Sequence, residues 1–91
     1  MTDCRSDPRE EIGDGVIIER RYLDGQLAGV WYEHPSTVSA TGRCSGYAPV
    51  RPHAKDGWDV VQVQPLTLSP SLVCRACGHH GFIREGRWVP C

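Results

Sequence analysis

The sequence predicts a small all-β or β-rich domain, stabilised by a bound metal and built from hairpins plus a Cys-x-x-Cys knuckle, with a long irregular loop and little helix. Three observations carry this. Two tight-turn signals, Asp24-Gly25 and Glu85-Gly86, each separate β-rich runs. Ten glycines and seven prolines interrupt any helical period. Four soft or borderline metal ligands lie in the run Cys74-Arg75-Ala76-Cys77-Gly78-His79-His80.

At 91 residues the chain makes one domain at most, and a domain of that size buries too small a fraction of its surface to be held easily by its core alone. Hydrophobic residues make up 40% of it and only seven side chains are aromatic, so a cross-link is needed. Five cysteines, at 4, 44, 74, 77 and 91, offer one. Their odd count and the absence of an export signal argue against a disulfide framework and for a cytoplasmic protein. No apolar run approaches the length of a membrane span. A redox role for Cys74 and Cys77 would require a βαβ setting, which the pattern lacks.

Element by element, residues 1–14 are polar and charged, with Pro8 and Gly13 and no apolar period, and are expected as a flexible acidic N-terminal tail ahead of a single domain over 15–91. Val16 to Leu23 and Gln26 to Glu33 are strands joined at Asp24-Gly25, whose two residues tolerate positive φ. Residues 34–57 carry Pro35, Gly42, Gly46, Pro49, Pro52 and Gly57 and read as a long loop with a short strand at Gly46 to Val50. Trp58 to Gln64 is a strand ended by Pro65. Leu66 to Val73 is extended and broken at Pro70, and Gly81 to Val89 is a second hairpin.

The Cys/His run therefore sits between an extended segment and a hairpin, the setting of a zinc ribbon. Cys-x-x-Cys-Gly lets two thiolates face one ion while the glycine takes the tight turn beyond them. A closed structural zinc site needs four ligands. Cys74 and Cys77 are the first two, His80 the third because its spacing lets it curl back, and Cys44 the fourth because it would anchor the long loop. His34, Cys91, His53 and His79 are the alternatives. Trp31, Trp58, Trp88, Tyr32 and Phe82 are expected to form core around the metal.

The residues from Gly57-Trp58, through Pro65-Leu66-Thr67-Leu68-Ser69-Pro70-Ser71-Leu72, to Cys74-x-x-Cys77-Gly78-x-His80-Gly81-Phe82-Ile83-Arg84 and Gly86-Arg87-Trp88-Val89-Pro90 resemble a family of small uncharacterised Cys/His zinc-binding proteins of actinobacteria and their phages. A wider bacterial domain is similar in its Pro-Ser, Cys-x-x-His and aromatic-rich hairpin. The resemblance covers roughly residues 57–90. It implies a zinc-binding module of phage or mobile-element origin, with Cys77 and His80 as the core ligand pair, and brings no activity with it. In that family more cysteines precede the Trp strand, where this chain has His34 and Cys44.

Charge excludes little but ranks the functions. Ten Lys plus Arg stand against eleven Asp plus Glu, and a nucleic-acid binder of this size usually has a basic excess. The acids concentrate in the first third: residues 1–33 hold eight acids against four arginines, and the remainder three acids against six bases. His-Glu-x-x-His, Gly-x-Ser-x-Gly and phosphate-loop motifs are absent. The expected function is a non-enzymatic, zinc-stabilised accessory module that binds a protein partner, as monomer or dimer. A nucleic-acid-binding zinc domain is the first alternative, using Arg75, Arg84, Arg87 and exposed aromatics. A zinc hydrolase or nuclease is the second, with Asp56, Asp59 or Glu85 and His79 as its candidate groups.

Overall fold

Strands make up more than half of the described residues. The computed structural model describes residues 4–91 and is all-β, with ten strands and no helix among the described residues. They are β1 (Cys4–Ser6), β2 (Glu10–Gly13), β3 (Val16–Leu23), β4 (Gln26–Pro35), β5 (Arg43–Pro49), β6 (Asp59–Gln62), β7 (Thr67–Ser69), β8 (Leu72–Val73), β9 (His80–Arg84) and β10 (Arg87–Pro90). All strand pairs are antiparallel. β3, β4 and β5 form a meander, β1 and β2 follow one another along the free edge of β3, β8, β9 and β10 make a three-stranded sheet, and β6 pairs with β7.

The expected hairpins form where the turn chemistry demands. Asp24 and Gly25 have φ of 51° and 80°, and Glu85 and Gly86 have 50° and 75°, the left-handed pairs of a primed turn. A third such pair, Asp14 and Gly15 at 52° and 74°, joins β2 to β3. Residues 4–13 are thus not a tail: Cys4 to Ser6 pair with Arg21 to Leu23, Glu10 and Glu11 pair with Ile18 and Ile17, and Ile12 is 2% exposed in the core. Burial of that one isoleucine gives the polar segment its anchor. The same expectation for residues 1–3 lies outside the described residues.

The segment expected as a long loop over 34–57 holds a longer strand than the short one expected at Gly46 to Val50: β5 pairs with β4 from Gly29↔Pro49 through Pro35↔Arg43, leaving a connection over 36–42 and turns and bends over 51–57. Small side chains concealed this strand from the sequence pattern. Its inward residues Cys44, Gly46 and Ala48 lie opposite the larger His34, Tyr32 and Val30. The Tyr32 ring covers Gly46, where a Cβ would stand 3.2 Å from the ring.

Ile12, Val16, Ile18, Val30, Ala48, Val50, Leu66, Leu68, Leu72, Ile83 and Trp88 form one buried cluster, with Tyr32 and Trp58 packed against it. The inner face of the five-stranded sheet thereby meets the C-terminal strands in two layers. Trp31 and Phe82 do not belong to this core. Trp31 lies on the opposite sheet face beneath the Arg9 guanidinium, 4.4 Å from the ring centroid, and Phe82 lies beneath Arg84 at 4.0 Å.

Candidate metal centre

The meander and the C-terminal layer meet at four chemically matched side chains. His34 and Cys44 are direct cross-strand partners near the closed end of the β4–β5 hairpin, beside its 36–42 connection, on its inward face. Cys74 and Cys77 come from the turn between β8 and β9. There the Gly78 N–H donates to the Cys74 carbonyl at 2.7 Å, the Cys74 N–H donates to the His79 carbonyl at 2.8 Å, and Gly78 takes φ of 79°. The knuckle closes as its glycine allows.

One ligand atom from each of His34, Cys44, Cys74 and Cys77 lies within 4.8 Å of the others, close enough to hold a metal ion. A tetrahedral site with Zn–S bonds of about 2.3 Å has ligand–ligand edges near ~3.8 Å, so only a small contraction would separate this cluster from a closed coordination shell. All three thiols are partly buried, and no disulfide joins any cysteine among the described residues.

His34 provides the test of fit. It is fully buried, and its Nδ1 lies 3.0 Å from the Pro35 carbonyl oxygen. A carbonyl only accepts, so Nδ1 carries the proton and the lone pair of the neutral ring is on Nε2. That Nε2 is buried and has no hydrogen-bond partner. An unpartnered acceptor in a dry interior is costly, whereas a metal ion facing three thiols satisfies it. The Nδ1–H to carbonyl contact is also the usual outer support of a metal-bound imidazole, fixing its tautomer and direction.

The thiols show the electrostatic demand for a cation. At Cys77 the His79 backbone N–H stabilises the thiolate and, with hydroxyl and thiol neighbours Ser36, Cys74 and Cys44, holds the pKa below the usual thiol value. At Cys44 the Ser36 hydroxyl lowers the pKa, but desolvation and the neighbouring Cys74 and Cys77 raise it further, leaving it above the usual value. Three adjacent thiolates repel one another. A bound dication removes that conflict.

The donor set differs in one position from the one the sequence favours. Cys44, Cys74 and Cys77 come together, and His34, first of the alternatives, joins them. His80 lies outside the cluster on β9, with Nε2 2.7 Å from the Ser71 hydroxyl. Alternation explains the exclusion, since adjacent residues entering a strand point to opposite faces. His79 faces inward, its ring between those of His34 and Trp88 at centroid distances of 4.1 and 4.9 Å. Burial lowers its pKa, with the nearby His34 adding to the effect and Asp14 opposing it. His53 and Cys91 are exposed, and neither belongs to the cluster. Cys4, on edge strand β1, is also exposed.

Only the register of β4 with β5 could reveal His34 as the partner of Cys44. The usable sequence signal is parity: Val30, Tyr32 and His34 share one strand face, so a buried Val30 implies an inward His34. Among the described residues no helix is long and apolar enough to cross a membrane. Comparisons of this chain with protein-family models, with curated proteins and with solved structures each gave no match.

Proposed function

We propose that this chain is a small zinc-stapled β module, a phage or mobile-element accessory protein, that acts by binding a protein partner. The observation that supports it is the convergence of His34 and Cys44 from one layer with Cys74 and Cys77 from the other. Three thiolates and one imidazole suit zinc, and four protein donors complete its preferred shell without a place for water. That donor set fits a structural ion, which favours a binding module over a hydrolase or nuclease. Zinc would clamp the two layers where the β4–β5 connection meets the turn between β8 and β9. Folding and metal binding would then be coupled.

Nucleic acid is the second reading, favoured by the guanidinium of Arg9 over Trp31 and that of Arg21 over Tyr47. Against it, Glu19 is bound by both arginines and neutralises the same surface. Native mass spectrometry of protein purified without added metal, before and after chelation, tests the staple, with one zinc per chain expected. Affinity capture then compares the wild type with Cys77→Ser. Specific protein partners retained by the wild type and lost by the variant are expected, whereas retention of nucleic acid with steep salt dependence would replace the protein-binding reading.

A further inference from the structure

The two edges of the five-stranded sheet are built differently. β1 and β2 cover the free side of β3, whereas β5, last in the strand order, pairs only with β4 along its length. Hydrogen-bond parity shows which groups β5 leaves open. The Val50 N–H donates to the Ala28 carbonyl at 3.0 Å and the Gly42 carbonyl accepts from the Ser36 N–H at 2.9 Å, so the even-numbered positions face β4. The Pro49 carbonyl instead accepts from the Trp58 N–H at 2.9 Å, on the other side. Pro35, which has no N–H, lies opposite Arg43, as a non-hydrogen-bonded pair allows. Arg43, Ser45 and Tyr47 therefore direct their main-chain N–H and carbonyl groups to the free edge.

Among the described residues the only partner on this run is the Thr41 hydroxyl, which donates to the Arg43 carbonyl at 3.1 Å. The long side chains turn away from the edge. Arg43 reaches back over β4 to Glu33 and, at 2.7 Å, to the Gly15 carbonyl, and the Tyr47 ring folds over Gly29. Ser45 is small and exposed, and Gly46 has no side chain. Edge strands are ordinarily blunted by lysine, an internal proline, a bulge or a covering segment. Between Arg43 and Tyr47 β5 has no lysine or proline, and its register with β4 has no shift. The open run is bounded by the Thr41 contact at one end and by Trp58 beside Pro49 at the other, and it is centred on Ser45.

We propose that a second copy of this chain occupies this edge, β5 against β5 antiparallel about a two-fold axis at Ser45, joining two five-stranded sheets into one. In that register Ser45 lies opposite Ser45 of the second copy and Arg43 opposite its Tyr47, and each such pair is of the kind that exchanges both N–H to carbonyl bonds. The Arg43 carbonyl has a second lone pair for this. Cys44 and Gly46 of the second copy form the close, non-hydrogen-bonded kind of pair, and the bare Gly46 accommodates it. A run of open groups symmetric about one residue is self-complementary, which is what an isologous interface requires. A formal net charge of −1 gives two copies little mutual repulsion. The ladder is short, so the association is reversible, with a dissociation constant in the micromolar rather than the nanomolar range. The main chain makes the ladder, so the pairing does not depend on the zinc reading.

Sedimentation equilibrium of the full chain between about 5 and 500 μM, with zinc content measured on the same samples, tests the pairing. A monomer–dimer equilibrium is expected, with amide exchange at Ser45 and Tyr47 slowed at the high concentration only. In a mixture of isotope-labelled and unlabelled protein, the register predicts an intermolecular NOE between the α-protons of Cys44 and Gly46. Ser45→Lys sets two ammonium groups against each other at the axis, and Ser45→Pro removes the central donor of each copy without touching the β4 ladder. Each should weaken association at least about tenfold while leaving zinc content and unfolding in dilute solution unchanged. A monomer throughout, with one zinc bound, would overturn the pairing and leave the metal centre standing, whereas a dimer without zinc would uphold the pairing and count against the metal centre. A dimer that both folded variants retain would also overturn it. So would a monomer whose Ser45 and Tyr47 amides become protected only with an unrelated protein bound, which would assign the edge to a strand of that protein.

Discussion

His34 and His79 stack face to face, with ring centroids 4.1 Å apart and planes 8° from parallel. Trp88 continues the stack beyond His79 at 17°, and Tyr32 flanks His34 with centroids 6.3 Å apart. The imidazole that offers Nε2 to the thiols is thus fixed from two sides: a carbonyl holds its Nδ1 and an aromatic column holds its plane. His79, an alternative ligand in the sequence, instead packs against the ligand ring.

Histidine substitutions separate these roles. His34→Ala should abolish stoichiometric zinc binding and lower stability by about 3 kcal/mol or more, because a buried ring and a ligand are lost together. His80→Ala should retain one zinc per chain and lose about 1 kcal/mol or less, the value of a hydrogen bond to Ser71 at an exposed site. Metal analysis and thermal unfolding of both variants check this. Loss of zinc in the His80 variant alone would reverse the assignment.

Thiols at the centre and at the edge should behave differently. Cys77→Ser keeps the shape of the side chain but removes a soft donor, so its melting temperature should fall well below that of Cys4→Ser, whose exposed thiol lies outside the cluster. Chelation should lower the wild type toward the Cys77 variant and leave that variant unmoved. Equal melting temperatures for the two serine variants count against a metal staple.

The N-terminal strands are structural. Ile12→Ala should cost about 2–4 kcal/mol, since it removes a side chain that is 2% exposed within the single core cluster. Denaturant unfolding measures it. A change below about 0.5 kcal/mol, typical of surface positions, would return residues 4–13 to the status of a dispensable tail.

Glu19 gives a pH prediction. Its pKa is lowered chiefly by the hydrogen bond from Arg21, with burial opposing and Arg9 adding to the lowering. A depressed folded-state pKa contributes stability above the unfolded carboxylate value, and that contribution is lost as pH falls through the folded value. For a half-buried carboxylate at the sheet surface, paired with arginines that reach solvent, it is small and screened by salt. Arg21→Gln should raise the Glu19 pKa toward that of an ordinary glutamate in a side-chain NMR titration, and an unchanged titration would remove Arg21 as the cause.

Local chemistry made much of the fold legible. Asp24-Gly25 and Glu85-Gly86 determine two hairpins because few residues accept positive φ, and the Cys74–Gly78 run determines a knuckle because its glycine permits the turn. The equivalent signal at Asp14-Gly15 was obscured by its polar flank, in which Ile12 alone faces the core. Tertiary structure decided the rest. β5 is a strand because Gly46 and Ala48 accept the bulk of Tyr32 and Val30 from β4, a complementarity that a single strand's pattern cannot display. His34 replaces His80 beside the three thiols for a related reason: register across β4 and β5 sets His34 opposite Cys44, while the entry into β9 turns His80 toward Ser71. Sequence specifies which side chains can bind a metal, but strand pairing brings distant ones to the same point.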